Sequence, residues 1–482
     1  MTEPRVRLDE LLAQTRAPWV EHLRSSLADS PEITSITQDS RTVTPGALFC
    51  ALSGSNSDGH DHVGSAIEAG AAAVLVERHV TDAVPELLVT DARTAMGELA
   101  AAFNGHPDVQ LVAVTGTNGK TSIVTLLAHI VNSCGGSAAS MGTLTGSLTT
   151  LAAPEFHASL REHHEAGRNI VAAEVSSHAL DQGRISGSIP AVSIFTNLSQ
   201  DHLDYHESME SYFEAKARLF DEPFVAPAVI DVSDSWGARL VERLADSTPR
   251  TIVAVDGAGY VSGATLHHTS SEYTWRDHEV LLCLGGAFSV INAVLASEAA
   301  VILGYDVAGI VEALGTVPQI PGRFESIDQG QPFGVFVDYS HTPGSIDAAV
   351  ESARTLTNGA VRIVFGAAGD RDPGKRPLMG RAASAADVLF VTSDNPRSED
   401  PEVIIDQVVA GIESTPASDV HRISDRAEAI GAAISGAAPG DIVLITGKGH
   451  EDYQIIGSTR TDFDDRVEAR AALAFSGWEG AA

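Results

Sequence analysis

Chemistry in this chain starts at residues 111–122, LVAVTGTNGKTS. Leu111, Val112, Ala113 and Val114 form the short apolar run that a buried parallel strand requires. The run ends where Gly116 and Gly119 let the backbone curl, so that successive N–H groups face inward as a nest for phosphate oxygens. Lys120 is placed to reach terminal phosphates, and the Thr121 hydroxyl to ligate Mg²⁺. The apolar continuation IVTLLAHIV predicts a helix whose N-terminal dipole faces the same anion. Thr117 and Asn118 alone separate the two glycines, a shorter loop than the common phosphate-binding one. The competing reading is a Gly-rich turn with a surface lysine. The order strand, Gly, Lys, Thr, helix favours a nucleoside triphosphate.

Other residues of the right types follow at strand ends. EVSSHAL puts Glu174 just beyond a buried strand, where it would ordinarily cap or pair, but beside a triphosphate it suits Mg²⁺, which takes oxygen ligands and keeps waters. NLSQDHLDYH supplies Asp201, His202, Asp204 and His206; zinc is the weaker reading, since no cysteine or HExxH context accompanies them. Lys216, in ESMESYFEAKARLF, reads from the residues alone as a solvated lysine paired with a neighbouring acid. Late in the chain, DYSHTPGS, GAAGDRDPGKRP, SDNPRSEDP and GKGHEDYQ gather charge at the ends of four apolar strands, on one sheet edge. Arg371 and Arg397 offer forked donors for carboxylates, while Asp394 and Glu451 suit an amine, so a ligand carrying both groups, such as an amino acid, is implied.

The elements that must position these residues divide into three. Length alone suggests about three domains. Residues 1–105 read as a small N-terminal α/β domain, whose polar loop with Ser55, Asn56, Asp58, Gly59 and His60 is assigned nothing. Residues 106–320 read as a central P-loop ATPase-like, mostly parallel sheet, entered through a hinge at 106–110. Residues 321–482 read as a C-terminal Rossmann-like domain, with IPGRFE as the linker into it. GGSAASMGTLTGSLTTLAAPEF is either a flexible connection or a substrate loop.

Sixty-four acidic against 31 basic residues give a formal charge of −33, which disfavours nucleic acid and anionic membranes as partners. Any polyanionic ligand then needs a locally positive pocket or metal ions. Cys50, Cys134 and Cys283 show no zinc or disulfide spacing, as expected of inert thiols in a reducing cytoplasm. The N-terminal stretch lacks the apolar core of a signal peptide, and no apolar run is long enough to span a bilayer.

Together GTNGKTS, EVSSHAL, TNLSQDHLDYH, the YFEAKARLF lysine, DYSHTP, GDRDPGKRP, DNPR and GKGHEDYQ resemble the Mur ligases of peptidoglycan synthesis, most closely the members that add the third residue of the stem peptide. The resemblance runs from DSRTVTPGALF, near residue 39, to the C-terminus. It implies that Gly116, Thr117, Asn118, Gly119, Lys120, Thr121 and Ser122 bind ATP phosphates, and that Asn292, Arg323 and Asp338 hold the adenosine. Thr121, Glu174 and His202 would surround Mg²⁺, with Lys216 as the family's carbamylated, metal-binding lysine and His341 near the phosphates; Lys120, Lys216 and His341 would be the catalytic set. Ser40, Thr149, Thr150, Ser176, Gln182 and Arg184 fall where the family grips the UDP-N-acetylmuramoyl-dipeptide. Arg371, Asp394, Asn395, Pro396, Arg397, Gly447 and Glu451 fall where it reads a diamino acid. DNPR resembles the version selecting meso-diaminopimelate, Arg397 taking the distal carboxylate that lysine lacks. The expected enzyme is a cytoplasmic, monomeric, ADP-forming ligase working through an acyl phosphate. Departures from the family pattern are Leu151-Ala152 for Pro-Glu, Ser340 and Gly344 for Ala and Asp, and GAAG at 366–369 for Gly-Cys-Gly-Gly. Competing expectations are use of lysine or ornithine, a folylpolyglutamate synthetase, which shares the ATP domain and the carbamylated lysine, and a catalytically silent ligase-derived binding protein.

Overall fold

A computed structural model describes residues 4–15, 20–23, 30–54, 57–245, 247–412 and 419–478. Ser55 and Asn56 of the early polar loop lie outside them. Three α/β units follow one another along the chain. The first is a 5-stranded sheet in the order Val20–Leu23, Glu86–Val89, Ala73–Val76, Ala47–Cys50, Ser35–Thr37, parallel except at Val20–Leu23. The central one is 6-stranded and wholly parallel: Ile252–Val255, Ala228–Asp231, Val192–Phe195, Gln110–Thr115, Ile170–Glu174, Ala138–Met141. The last is also 6-stranded, with Glu325–Ser326 antiparallel at one edge, then Gly334–Asp338, Ile442–Thr446, Val361–Phe365, Val388–Val391 and Asp419–Arg422 in parallel.

Alternation along the strands explains why each sheet is covered on both faces. Leu111 and Ala113 enter one central core and Val112 and Val114 the other. Phe336 points into one late core, Val335 and Val337 into the opposite one. Leu48 and Phe49 divide in the same way in the first unit. A two-residue period with both phases apolar is what a helix-sandwiched parallel sheet demands.

Some elements differ from the expectation. IPGRFE is not solely a linker, because Glu325–Ser326 pairs with Gly334–Asp338. A 3-stranded antiparallel sheet, Ser262–Leu266, Ser271–Trp275 and His278–Leu282, adds Trp275, Val280 and Leu282 to the core beside helix Ala287–Ile302. A hairpin, Tyr453–Ile456 with Thr459–Asp462, follows the GKGHE loop. No described helix is long and apolar enough to cross a membrane. The cysteines are free; burial pushes the Cys50 thiol far up, as an inert core residue requires.

Candidate active site

Strand Gln110–Thr115 delivers its chain into a turn that starts helix Lys120–Ser133. Gly119 caps that helix at φ 87°, and a Cβ there would lie 2.6 Å from Asn292 Oδ1. Gly116, at φ 146°, leaves no room for a Cβ beside Thr196 Oγ1. The close approach therefore requires glycine at both positions. Thr196 Oγ1 donates to Asn118 O at 2.6 Å, and Asn118 N to Asn197 Oδ1 at 2.9 Å, so the neighbouring strand end braces the loop.

Lys120 Nζ donates to Gly116 O and Thr117 O at 2.9 and 2.8 Å, and Arg323 Nη2 to Thr121 Oγ1 at 3.1 Å. Desolvation lowers the Lys120 ammonium, opposed by Glu174 and Asp201, which places both carboxylates within its field. Lys216 corrects the reading of a solvated lysine: its residue is 1 % exposed, its Nζ donates to Gly116 O at 2.8 Å, and it sits 4.6 Å from the Tyr212 ring centroid. Burial, then Lys120, drives its amine well below the ordinary value.

These groups open into a 560 Å³ cavity lined by Thr117, Asn118, Gly119, Lys120, Thr121, Ser122, Thr149, Glu174, Ser176, His202, Asn292, Arg323, Asp338 and His341. The central and last units thus share one cleft. Asp338 Oδ2 accepts from Phe324 N at 2.7 Å and its Oδ1 from Ser340 N at 2.8 Å. The Ser340 hydroxyl also bonds Asp338, a contact that alanine would not make. Gly344 departs from the family pattern where a Cβ would stand 2.9 Å from Ser199 Cβ. Across the cleft Asp201 is lowered: burial works against its charge, but His202, His341 and Lys375 outweigh it. His341 is lowered by burial and then by Lys375.

A second set joins this one through Glu174. Thr143 N donates to Glu174 Oε1 at 2.8 Å, and Thr150 Oγ1 to Glu174 O at 2.8 Å. Arg184 Nη1 donates to Thr150 O at 2.6 Å and its Nη2 to Gln182 Oε1 at 2.8 Å. Ser40 stands apart, on the turn Ser40–Thr42 of the first unit, where no hydrogen bond among the described residues ties it to the others.

The third set lies at the carboxyl ends of the late strands. Asn395 Nδ2 donates to Glu451 Oε2 at 2.9 Å, and Gly447, at φ 118°, lets Asp394 approach. Arg397 has φ 50° and is held there through its backbone: its N donates to Ile455 O at 3.1 Å, and its O accepts from Gly457 N at 2.7 Å. Its Nη1 donates to Gly369 O at 2.7 Å. Pro396 packs its carbonyl against Gly369, where a side chain would collide. Arg371 is exposed on the same loop and donates to Asp370 O at 3.4 Å. Sequence reasoning passed over Lys448, Tyr339 and the Arg376–Glu399 pair. The Tyr339 ring bridges the sets, 4.6 Å from His341, 5.0 Å from His450 and 4.4 Å from the Arg323 guanidinium. Lys448 carried the same Gly-Lys signal as Lys120.

Among the described residues no three His, Cys, Asp or Glu side chains converge as a metal cage. One carboxylate, one hydroxyl and phosphate oxygens fit Mg²⁺, which is bound through few protein groups.

A phosphate loop at the end of a parallel sheet, facing a second α/β unit whose loops carry arginines and carboxylates, defines a multidomain nucleotide-dependent ligase. Comparisons agree. Residues 32–104 match the Mur ligase family catalytic domain, 114–300 the Mur ligase middle domain, and 322–449 the Mur ligase glutamate ligase domain. The chain is 40% identical over 493 residues to the UDP-N-acetylmuramoyl-L-alanyl-D-glutamate–2,6-diaminopimelate ligase of Geobacillus kaustophilus (strain HTA426), covering 97% of this chain and 99% of that one. It is 42% identical over 480 residues to the ligase of the same name from Synechococcus sp. (strain WH7803), covering 92% and 94%. A solved structure of a ligase of that name superposes with a TM-score of 0.69 at 32% identity, over 99% of this chain and 100% of that one. The chain belongs to the Mur ligase family.

Proposed function

We propose that the protein is an ATP-dependent ligase that joins meso-2,6-diaminopimelate to UDP-N-acetylmuramoyl-L-alanyl-D-glutamate in peptidoglycan synthesis. The observation that carries this reading is a cationic pair, Lys120 and Arg323, gathered with the buried Lys216 amine at one phosphate-type loop in a chain of formal charge −33. Over the rest of so acidic a surface polyanions are repelled. The names of the full-length relatives support the choice of substrates.

Bound Mg·ATP would supply the phosphoryl group that converts the substrate carboxylate into an acyl phosphate open to attack by an amine. The chain contributes position and charge. Lys120, the loop N–H groups of 116–122 and His341 would face the phosphates, while Asn292, Arg323 and Asp338 would hold the nucleoside. Thr121, Glu174 and His202 would hold Mg²⁺. Lys216, whose burial favours the neutral amine, would add to CO₂ and shed a proton to water, leaving an anionic carbamate as a further oxygen donor. Thr149, Thr150, Ser176, Gln182, Arg184 and Ser40 would grip the UDP-sugar dipeptide. Arg371 and Arg397 would take carboxylates of the amino acid, and Asp394, Asn395 and Glu451 its amine. On this reading the unit of residues 1–105 serves the UDP-sugar, 106–320 ATP and 321–482 the amino acid. The ligase acts as a single chain in the cytoplasm, where ATP is supplied.

The test is phosphate release from ATP with the UDP-linked dipeptide, run separately with diaminopimelate, lysine and ornithine. Release should depend strongly on diaminopimelate, and Arg397→Ala should remove that preference; equal turnover with lysine in the unmutated enzyme would overturn the assignment. In the same assay Lys216→Ala should lose about 100-fold or more and regain part of it with added short carboxylic acids. No such rescue would count against the carbamate.

A further inference from the structure

Beneath the third set lies a charge that the proposed mechanism does not use. Lys448 follows Gly447 at the end of strand Ile442–Thr446, and its side chain is 0% exposed. Its Nζ lies 3.3 Å from Asn395 Oδ1, 3.3 Å from Glu451 Oε2 and 3.8 Å from Asp394 Oδ1. We propose that Lys448 is a positioning residue for the amine end of the incoming amino acid, holding Asp394, Asn395 and Glu451 convergent so that the cluster keeps one negative charge for a substrate ammonium. The inference deepens the function proposed above and rests on it.

The charge count follows from burial. Asp394 and Glu451 carry two negative charges, and Lys448 cancels one of them. Another buried ion pair, Arg426 and Asp465, is 0% exposed on both sides and its members neutralise each other through two hydrogen bonds of 2.7 Å. Among Asp394, Glu451 and Lys448 themselves one negative charge therefore remains unmatched. Such a charge is costly unless a cation or a proton arrives.

The hydrogen bonds show where a cation would go. Lys448 and Asn395 Nδ2 both donate to Glu451 Oε2, while Asn395 Oδ1 accepts from Lys448 and from Ile455 N at 2.9 Å. This network fixes the asparagine amide one way round. It leaves Glu451 Oε1 and the Asp394 carboxylate without a hydrogen bond from any described residue. Those are the acceptors an ammonium needs.

Glu451 feels the balance directly. Its carboxyl is raised by burial and then by Asp394, with Lys448 and Asn395 opposing. Tyr339, Tyr453 and Arg426 also interact with it, and Arg323, Arg397 and His341 act on the same cluster through Tyr339, Tyr453 and Asp394. Removing Lys448 leaves two facing carboxylates, one of which must take up a proton. A protonated Glu451 is a poorer partner for an amine.

The decisive experiment compares wild type, Lys448→Met and the double variant Lys448→Met/Glu451→Gln. In Lys448→Met, KM for the amino acid should rise about tenfold or more at neutral pH. The acid limb of kcat/KM for that substrate should move up by about one pH unit or more, with KM for ATP unchanged. The double variant restores the original charge, so its acid limb should return while KM stays high. Infrared difference spectra of the protein alone should show a protonated carboxyl band in Lys448→Met near pH 7 that the double variant lacks. An amino-acid KM within twofold of wild type, a rise that does not vary with pH, or no carboxyl band would overturn the proposal. Where the methionine variant does not fold, Lys448→Gln carries the same expectations. Wild type without amino-acid-dependent phosphate release would strike the proposed function instead, and the infrared band would still decide whether Lys448 sets the charge on Glu451.

Discussion

Helix Ala92–Phe103 of the first unit meets the central unit through glycines, whereas the last unit meets it through an arginine and a pair of phenylalanine rings. At the first joint a Cβ on Gly97 would stand 2.7 Å from Ser186 Cβ and 2.8 Å from Ser186 O, and one on Gly187 2.6 Å from Ala101 Cβ. Ala153, at the start of helix Ala153–Glu165, even belongs to the first unit's core. At the second joint Arg323 Nη2 reaches Thr121 Oγ1, Phe288 meets Phe324 edge-on at 5.2 Å, and Gly344 faces Ser199. Backbone-to-backbone packing cannot slide without collision. A few side-chain contacts around a cleft, one of them the Arg323–Thr121 hydrogen bond, can be exchanged for contacts to ligand. The molecule thus fixes the unit proposed to hold the UDP-sugar and leaves the nucleotide cleft between surfaces that can part.

Two substitutions would break this contrast. Arg323→Ala removes the hydrogen bond across the second joint together with a cation at the phosphate loop. It should cost about 100-fold or more in kcat/KM for ATP, with the urea midpoint of unfolding unchanged. A clear loss of stability would show that this joint is as structural as the other. Gly97→Val forces a branched side chain into Ser186 and the Gly183 carbonyl, 3.0 Å away. Overpacking of this kind costs about 1–3 kcal/mol, read from urea unfolding, and KM for ATP should be unaltered. An unchanged midpoint would mean that the first unit can pivot.

Legibility from sequence followed the same division. The two apolar phases of Leu111/Ala113 and Val112/Val114, and the glycine turn after them, are local patterns, and the structure follows them. The four late strands with charged loops were equally plain. Lys216 was not legible from its surroundings, because helix Met209–Ala217 carries two acids, Glu210 and Glu214, just ahead of it. Its burial comes from the Gly116 carbonyl, 100 residues earlier in the chain, and only the family resemblance singled it out. Glu325–Ser326 was hidden for a related reason: two residues have no period, and their strand exists because Gly334–Asp338 has a free edge. The glycines of the tight joint also looked ordinary, since what they touch lies on another unit.

The subtlest test concerns a histidine inside the tight joint. His157 is 2% exposed, and its Nε2 lies 2.8 Å from Ser186 O, the residue that Gly97 also abuts. Burial pushes its imidazole down from 6.5 to about 4, helped by His106 and opposed by the Ser186 carbonyl. The sign follows from linkage: between these values the unfolded chain binds a proton that the folded chain refuses, so stability is full above about 6.5 and falls as pH drops towards 4. His157→Gln keeps an N–H for Ser186 but does not titrate. Relative to wild type it should flatten the decline in unfolding free energy over that window by about 3 kcal/mol. Other buried histidines contribute to both curves and cancel in the difference. Parallel curves for the two proteins would mean that His157 takes its proton without loosening the joint, and that the glycine contacts alone hold the first unit in place.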